Sequence, residues 1–502
     1  MTAEKPKVAK TKMPIFQKIY HNIAFACFQF WELLALRVTP KQKPKRGARR
    51  GVALLLVLTY IAVMSATILS SFMNSQVSYS IAANIRDDLK AYYKARTALN
   101  LGRLMLTYQY ELEADDFFGE RIRRSNFQIY QILDLLMTPF KTGIVTVGAP
   151  GAEAIASYNL REAGVDAMGD ESGDYNVHVF PEAGRVNLNR FAGGAKQDTV
   201  YELCMLFASP EYDEIFNTRG RDRNKLTRSE TVAAIIDWVD SDSERTNLTN
   251  DCVLEEPSGD ESSLYSETRR KFDVKNAKLT TLDELYEVAG IGDDFMNAFS
   301  ETLTVYPVEK VNVNLANAKV LYSALCSSAS LDGMDPKDDR LWACREPIIG
   351  DKLMILAMAI EGYQQFVLNP MNLLYLYTVE KQTSVIPGVV PNGTIVPFRS
   401  RYEFTNVLDA MKTDPLLIKK FVMYSPTAYI MLGQNLMQLP VEAMSLSGLS
   451  FDSKRLNDKI TTDNPRVFRV VAVGEYGGTR KTLSAVVDFN EVGGKFLYWR
   501  EY

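Results

Sequence analysis

Residues 46–73 read RGARRGVALLLVLTYIAVMSATILSSFM, and this stretch decides how the rest of the chain is organised. Twenty-two residues, 52–73, follow Gly51 without a charge, and the next charged residue is Arg86. As an α-helix they would rise about 33 Å, which matches a hydrocarbon core of about 30 Å. The sequence therefore predicts a membrane-spanning helix.

The charge around this segment is strongly asymmetric. Residues 1–50 carry a net charge of +10, so the remaining 452 residues sum to −14 within a total of −4. Because the excess of Lys and Arg precedes the span, the positive-inside rule places the N-terminus in the cytoplasm and the body, from about residue 75, outside. The acidic body excludes a surface that coats nucleic acid.

Composition also limits the chemistry that the chain can perform. Of its 502 residues, 46% are hydrophobic and 24% charged, which is typical of folded domains. Only His21 and His178 are histidines, and the sequence contains no G-x-S-x-G elbow and no phosphate-binding glycine loop. These absences disfavour zinc sites, hydrolases and nucleotide enzymes, so we expect a protein that is not an enzyme.

The helix is expected to continue beyond the membrane to about residue 110. Between residues 78 and 110 there is no Pro and the one Gly is Gly102. Apolar residues recur near helical spacing, which predicts an amphipathic extension about 60 residues long in total. A juxtamembrane helix that packs on its own domain is the alternative. The recurring apolar residues are Ile81, Ile85, Leu89, Tyr92, Leu99, Leu104 and Leu106.

The body combines strands at both ends with a helical middle. Alternating β-branched and aromatic residues predict strands, with a hairpin turn over 476–479, and the middle, 191–455, is predicted to be helical. Within it, Thr281 and Glu284 match Ser400 and Glu403 at an offset of 119 residues, and 303–307 then matches 422–426. We interpret this as two copies of a helical module, with chance as the alternative. The predicted strands are 142–148, 175–190, 466–473, 481–489 and 495–500.

The junction Arg49-Arg50-Gly51-Val52 resembles the prepilin-peptidase site of type IV pilins and pseudopilins. The resemblance implies a cut after Gly51 and N-methylation of Val52. Most members carry Glu at the fifth position after the cut, where this chain has Leu56; that absence is typical of the K-type pseudopilins. The leader, 1–51, is longer than usual in the family. Its apolar run, 22–36, predicts an interfacial helix, and a misassigned upstream start is the alternative.

Several motifs in the body resemble the K-type minor pseudopilin of bacterial type II secretion, general secretion pathway protein K. Each is weak alone, and their order after the apolar helix carries the resemblance. They are GRVNLN at 184–189, IDWVDSDSE at 236–244, GDE at 259–261 with Tyr265, LDEL at 282–285, VNVNLA at 311–316 and LYWRE at 497–501.

The resemblance implies an α+β fold, in which a transmembrane pilin helix and a pilin-like antiparallel sheet carry a large inserted all-α domain, SAM-like or helix-hairpin-helix-like. The implied protein lies in the inner membrane with a single pass and a periplasmic body. The predicted regions are a leader at 1–51, the spine helix at 52–110, first strands at 111–190, the inserted helical domain at 191–325, a second helical module or a lineage-specific insert at 326–465 and closing strands at 466–502.

An acidic loop is the candidate metal site. Hard cations such as Ca²⁺ favour several carboxylate oxygens that converge from a flexible loop, although the spacing here is not that of an EF-hand. A solvated acidic loop is the alternative, and the resemblance favours calcium because related K proteins bind it in the helical domain. The candidate ligands are Asp237, Asp240, Asp242, Glu244, Asp260 and Glu261.

Four cysteines follow the membrane segment, and an even number in an oxidising compartment permits two disulfides. Their order suggests Cys204 with Cys252 and Cys326 with Cys344, although four cysteines allow three pairings and buried thiols are the alternative. The hairpin Gly290-Ile291-Gly292 resembles that of DNA-binding helix-hairpin-helix modules. Asp293 follows it where DNA would need a cation, so nucleic acid is not an expected partner.

The resemblance implies a non-enzymatic tip subunit. Prepilin peptidase would remove residues 1–51, and the mature helix would join I- and J-like minor pseudopilins in the inner membrane to initiate a pseudopilus for export of folded proteins. Two alternatives remain: a minor pilin of a type IV pilus or DNA-uptake machine, and a membrane-anchored periplasmic enzyme.

Overall fold

The computed structural model describes most of the chain after residue 47. The predicted leader up to that residue and the matched segment 422–426 lie outside the described part. The chain divides into two compact units between Ala83 and Asn84. The described residues are 48–116, 119, 128–142, 144–147, 156–159, 173–217, 226–265, 273–332, 344, 347–368, 398, 400–414, 445–491 and 493–502.

The first helix, α1 (Ala48–Ala114), is 67 residues long. It begins before the predicted cleavage junction and ends four residues beyond the predicted limit of 110. Within the described ranges it is the one helix that is long and apolar enough to cross a membrane. The predicted long N-terminal helix is therefore confirmed.

The helices are α2 (Leu133–Thr142), α3 (Gln197–Leu206), α4 (Asp213–Asn217), α5 (Arg228–Val239), α6 (Asp293–Phe299), α7 (Ala318–Cys326), α8 (Pro347–Leu368), α9 (Arg401–Thr413) and α10 (Ser453–Lys459). The strands are β1 (Ile144–Val147), β2 (Ala156–Asn159), β3 (Gly173–Pro181), β4 (Val186–Asn187), β5 (Leu303–Thr304), β6 (Val311–Asn312), β7 (Ala329–Leu331), β8 (Leu449–Phe451), β9 (Ile460–Thr461), β10 (Val467–Tyr476), β11 (Thr479–Asp488) and β12 (Lys495–Glu501).

The main sheet has four antiparallel strands in the order β12-β11-β10-β3. Strands β10 and β11 are joined by Gly477 and Gly478, which both have positive φ, as a two-residue hairpin turn requires. The structure confirms the turn predicted at 476–479 and the three strands predicted at the C-terminus, whose ends differ from the predicted ends by at most three residues.

The second half of α1 packs on one face of this sheet. Small residues allow the close approach: a Cβ on Gly102 would lie 3.0 Å from Val177 Cγ2, and a Cβ on Gly474 would lie 2.2 Å from the Ala91 carbonyl oxygen. Ala95 and Leu99 are fully buried in the core that results. Helix and sheet therefore share one hydrophobic core within the second unit.

The helical body is inserted between two neighbouring strands of the sheet. Strand β3 pairs with β10, so that Val179 lies opposite Val470 and Pro181 opposite Phe468. The single strand predicted at 175–190 is wrong in its second half, because the chain leaves the sheet at Pro181 through a 3₁₀ turn, Glu182–Gly184. The predicted α+β fold with an inserted helical domain is confirmed; the insert, predicted to be all-α, also contains the short strand pairs β4-β5, β6-β9 and β7-β8.

Asparagines at the start of each half of the body make the same hydrogen bonds. Asn187 Oδ1 accepts the amide of Asn189, and Asn312 Oδ1 accepts the amide of Asn314. The second asparagine of each pair then binds both backbone groups of one distant residue, which is Leu279 for Asn189. The distances are 2.9 Å to the carbonyl oxygen and 2.7 Å from the amide.

Asn314 binds Phe398 in the same way, at 2.8 and 3.0 Å, and Phe398 lies 119 residues after Leu279. The offset in the sequence therefore reflects a structural repeat. Each repeat closes with a short parallel pair, β4 with β5 in the first and β6 with β9 in the second. The second repeat thus begins at Val311, before the sequence-based boundary at 325/326.

Candidate metal centre

Helix α5 supplies the first two carboxylates of the centre. Its N-terminus is fixed by a capping box, in which Thr227 and Glu230 bind each other's backbone amides. Asp237 lies in its last turn and Asp240 is its C-cap residue, so the two side chains, three residues apart, share one side of the helix end. Both are buried, with exposed fractions of 1% and 3%.

A hairpin then returns the chain to the end of this helix. Residues 244–260, the loop hairpin, are closed by an antiparallel bridge between Glu244 and Asp260 and by a second one between Leu248 and Leu254. Glu261 directly follows the hairpin and is also buried, with 2% of its surface exposed. One oxygen from each of Asp237, Asp240 and Glu261 lies within 4.8 Å of the others.

The three carboxylates are under-satisfied in a way that fits a hard cation. Asp237 Oδ1 accepts the amide of Thr246 at 2.8 Å, whereas Asp237 Oδ2 has no hydrogen-bond partner among the described residues. Asp240 Oδ1 and both oxygens of Glu261 are also buried and lack hydrogen-bond partners within the described part of the chain. Buried carboxylates without donors are costly unless a cation compensates them, and Ca²⁺ takes oxygen ligands of this kind. The donor set is therefore suited to calcium.

Burial and mutual repulsion oppose ionisation of these groups. Burial raises the pKa of Asp237 to about 6 from its ordinary value of 3.8. It raises the pKa of Asp240 to about 7, with repulsion from Asp242 and Asp237 as further causes. The pKa of Glu261 rises to about 8, chiefly through burial and then through Asp237, Asp240 and Asp242. A divalent cation would reverse this, because it stabilises the ionised form.

The other three predicted ligands lie outside the group of close carboxylates, and their side chains are exposed. Asp242 accepts the amide of Glu244 at 3.0 Å, and Asp260 accepts the amide and the hydroxyl of Ser262. Both sets of bonds lie at the base of the hairpin, where the chain enters and leaves it. Of the six predicted ligands, three are therefore buried carboxylates that converge. The other three are surface residues, two of which stabilise turns.

Both cysteine pairs suggested by sequence order are disulfides in the structure. Cys204, in the last turn of α3, is bonded to Cys252 in the loop hairpin, and Cys326, at the end of α7, is bonded to Cys344. Helices α3 and α7 hold equivalent places in the two repeats, since each follows the asparagine pair that opens its repeat. In each repeat, the first cysteine of the disulfide therefore lies on the equivalent helix.

Gln197 was not singled out from the sequence, although it holds the same hairpin. Its Nε2 donates to the Cys252 carbonyl oxygen at 2.8 Å, and its Oε1 accepts the amide of Leu254 at 2.8 Å. An amide side chain can bridge a backbone donor and acceptor in this way, but nothing in the spacing of Gln197 indicates its partner. Its contact depends on tertiary structure alone.

The predicted glycine hairpin packs inside the body. Gly290 has φ +79°, and a Cβ there would lie 2.8 Å from Leu226 Cδ1. Ile291 is buried, whereas Asp293 and Asp294 at the start of α6 are exposed. The surface beside the hairpin is thus acidic.

The predicted processing residues lie in the first unit. Gly51 and Val52 are within α1, and the side chains of Val52 and Leu56 are exposed. The hydrophobic residues that follow are likewise exposed up to the end of the unit, as expected of a lipid-facing helix.

No protein-family model matches the chain, and no curated protein matches it. The chain is structurally similar to a chain in the crystal structure of the GspK-GspI-GspJ complex from the enterotoxigenic Escherichia coli type 2 secretion system. The two share 12% sequence identity with a TM-score of 0.35, over 86% of this chain and 99% of that chain.

Proposed function

We propose that the protein is a minor pseudopilin of a type II secretion system and forms the tip of its pseudopilus. The observation that carries the proposal is an apolar stripe on the exposed side of α1 between Asn84 and Ala114. Its six side chains are 40–63% exposed, and none belongs to the core between helix and sheet. The stripe consists of Ile85, Leu89, Tyr93, Leu104, Tyr108 and Leu112.

The spacing of the stripe suits a helix as partner. Its members are four residues apart, in two runs separated by eleven residues, which is about three turns of helix. Because each four-residue step turns about 40° further round the helix, the stripe winds about halfway round it. Its middle members, Tyr93 and Leu104, lie opposite Ala91 and Ala95, whose side chains are buried. An exposed apolar stripe of this length marks an interaction surface, and helices of I- and J-like pseudopilins are the proposed occupants.

The uncharged membrane half supports a leading position in the assembly. A carboxylate at the fifth position after the proposed cut would need a charged partner inside the lipid, whereas Leu56, which occupies that position, needs none. The inserted body supports the same position, because about 285 residues, from Glu182 to Arg466, leave and re-enter the sheet between two adjacent strands. A body of that size on one subunit would obstruct a further subunit stacked above it.

The proposed function also includes cleavage of the leader, anchoring in the inner membrane and binding of calcium. Prepilin peptidase would cut after Gly51, and the N-methylated Val52 would begin a helix anchored in the inner membrane with the body in the periplasm. Asp237, Asp240 and Glu261 would hold Ca²⁺ at the end of α5. The role is that of a structural subunit, without catalysis.

The stripe can be tested by placing a charge within it. We expect Tyr93→Asp to reduce co-purification of the full-length protein with I- and J-like pseudopilins from membranes by about tenfold or more, because an apolar helix contact tolerates a buried charge poorly. Tyr402→Asp is the matched control: Tyr402 also lies on a helix, is 75% exposed against 56% for Tyr93, and belongs to the inserted body. Equal recovery of partners with both variants would contradict the proposal.

A further inference from the structure

The carboxylates and the Cys204–Cys252 disulfide hold opposite ends of the loop hairpin. At its base, the amide of Arg245 donates to the Gly259 carbonyl oxygen, and the amide of Ser258 donates to the Arg245 carbonyl oxygen, both at 3.2 Å. At its tip, the amide of Cys252 donates to the Thr249 carbonyl oxygen at 2.8 Å. A two-stranded hairpin of this size is marginally stable by itself, so it depends on attachments at its ends.

The tip is attached to α3 by three bonds. One is the disulfide; in the other two, Gln197 Nε2 donates to the Cys252 carbonyl oxygen and Gln197 Oε1 accepts the amide of Leu254. Cys252 is held with φ +58°, in the left-handed region that a residue other than Gly adopts only when its surroundings impose it. The backbone at the tip is therefore fixed from outside the hairpin.

The base leads directly into the carboxylates. Asp240 lies four residues before the first strand of the hairpin, and Glu261 is the residue after its second strand. In addition, the amide of Thr246 in the first strand donates to Asp237 at 2.8 Å. The position of Glu261 relative to Asp237 and Asp240 thus depends on the hairpin remaining closed.

We infer that the Cys204–Cys252 disulfide and Gln197 are positioning groups for the cation site, so that calcium occupancy and the redox state of this disulfide are coupled. The inference rests on the proposed calcium site. Calcium and the disulfide constrain the same segment from its two ends, and each therefore lowers the conformational entropy that the other must remove. By linkage the coupling is reciprocal: the disulfide strengthens calcium binding, and calcium makes the disulfide harder to reduce.

The redox step is an ordinary exchange with a dithiol. Dithiothreitol supplies two electrons and two protons, Cys204 and Cys252 each become a thiol as their S–S bond breaks, and the dithiol closes to its own disulfide. Calcium is neither oxidised nor reduced in this step.

The duplicated architecture provides a matched control. Cys326 occupies in the second repeat the position that Cys204 occupies in the first, at the end of the helix that follows the asparagine pair. Within the described ranges, no group of three close carboxylates occurs in the second repeat. Removal of the Cys326–Cys344 disulfide should therefore disturb a repeat to a similar degree without affecting the cation site.

The test is calcium titration of the full-length protein in detergent micelles by isothermal calorimetry. We expect Cys204→Ala/Cys252→Ala to raise the Kd for Ca²⁺ about tenfold, Gln197→Ala to raise it about threefold, and Cys326→Ala/Cys344→Ala to leave it within about twofold. Circular dichroism checks that each variant is folded.

The reciprocal measurement uses the unmodified protein and so does not depend on a variant that folds. A tenfold coupling lowers the reduction potential of the Cys204–Cys252 disulfide by about 30 mV in saturating calcium. Calcium binding with equal Kd in all variants, together with an unchanged potential, would overturn the inference and leave the calcium site intact. If the oxidised protein binds no calcium, both the site and the coupling are wrong.

Discussion

Glu182, the first residue after strand β3, forms a 2.8 Å ion pair with Arg469 on β10, the strand by which the chain returns to the sheet. Glu182 is fully buried and also accepts a hydrogen bond from Thr304 Oγ1 at 2.6 Å. Arg185 is a second cation beside it, at 3.6 Å. A single carboxylate thus joins the sheet to both ends of the first repeat.

We expect Glu182→Ala to destabilise the protein by about 3–5 kcal/mol, because it leaves Arg185 and Arg469 without their counter-charge in a partly desolvated place. Chemical denaturation of the micelle-bound protein measures this. Asp88→Ala is the control, since Asp88 forms a more exposed pair with Lys481 at 2.9 Å, and its loss should cost less than about 1 kcal/mol. A similar loss in both variants would refute this role of Glu182.

The metal-free protein should lose stability as the pH rises. Asp237, Asp240 and Glu261 have raised pKa values in the folded state, of about 6, 7 and 8. The folded state therefore binds their protons more tightly than the unfolded state does, so the stabilisation is complete below about pH 4 and is lost progressively up to about pH 8.

Thermal denaturation in a chelator should accordingly show a falling Tm between pH 5 and pH 8. Calcium binds the ionised carboxylates, so the decrease in Tm should shrink or reverse in its presence. A Tm that falls equally with and without calcium would show that these groups are not ligands.

Substitution of one ligand separates electrostatic repulsion from metal binding. We expect Glu261→Gln to raise the Tm at pH 8 in chelator, because it removes one of three crowded charges, and to abolish most of the stabilisation by calcium. That stabilisation amounts to about 2.7 kcal/mol at a calcium concentration one hundred times the Kd. Glu244→Gln, an exposed position outside the cluster, should change neither value. Calcium stabilisation that persists in Glu261→Gln would exclude Glu261 as a ligand.

The paired asparagines predict equal losses in the two repeats. Asn314→Ala should cost about 2–3 kcal/mol, because it leaves the amide and the carbonyl of the buried Phe398 without partners. Asn189→Ala should cost a similar amount through Leu279. Asn100→Ala, at an exposed position of α1, should stay within about 0.5 kcal/mol in the same denaturation experiment. Large asymmetry between Asn189 and Asn314 would mean that the repeats are not energetically equivalent.

The sequence predicts those parts of the fold that are governed by local patterns. The apolar run after Gly51 is long enough to identify α1, and the pair Gly477-Gly478 identifies the hairpin. The strand that was predicted to reach residue 190 ends at Pro181, because tertiary contacts redirect the chain there and alternation alone does not reveal where a strand leaves its sheet.

The sequence does not show which distant residues come together in the folded protein. Glu261 is one of the six acidic residues predicted as ligands. The sequence does not distinguish it from an exposed neighbour such as Asp242, because Glu261 reaches Asp237 and Asp240 only when the hairpin is closed. The bridging role of Gln197 has no local signal. Conversely, the offset that relates Thr281 to Ser400 is visible in the sequence because both residues begin helices, and the structure adds the asparagine contacts that explain it.

Whether the chain is a processed pseudopilin can be read from the mass of the N-terminal peptide of the protein recovered from native membranes. We expect a chain that starts at Val52 and carries one methyl group on its amino terminus. An intact peptide that runs from the leader through Gly51 into Val52, with no cleaved form present, would contradict it.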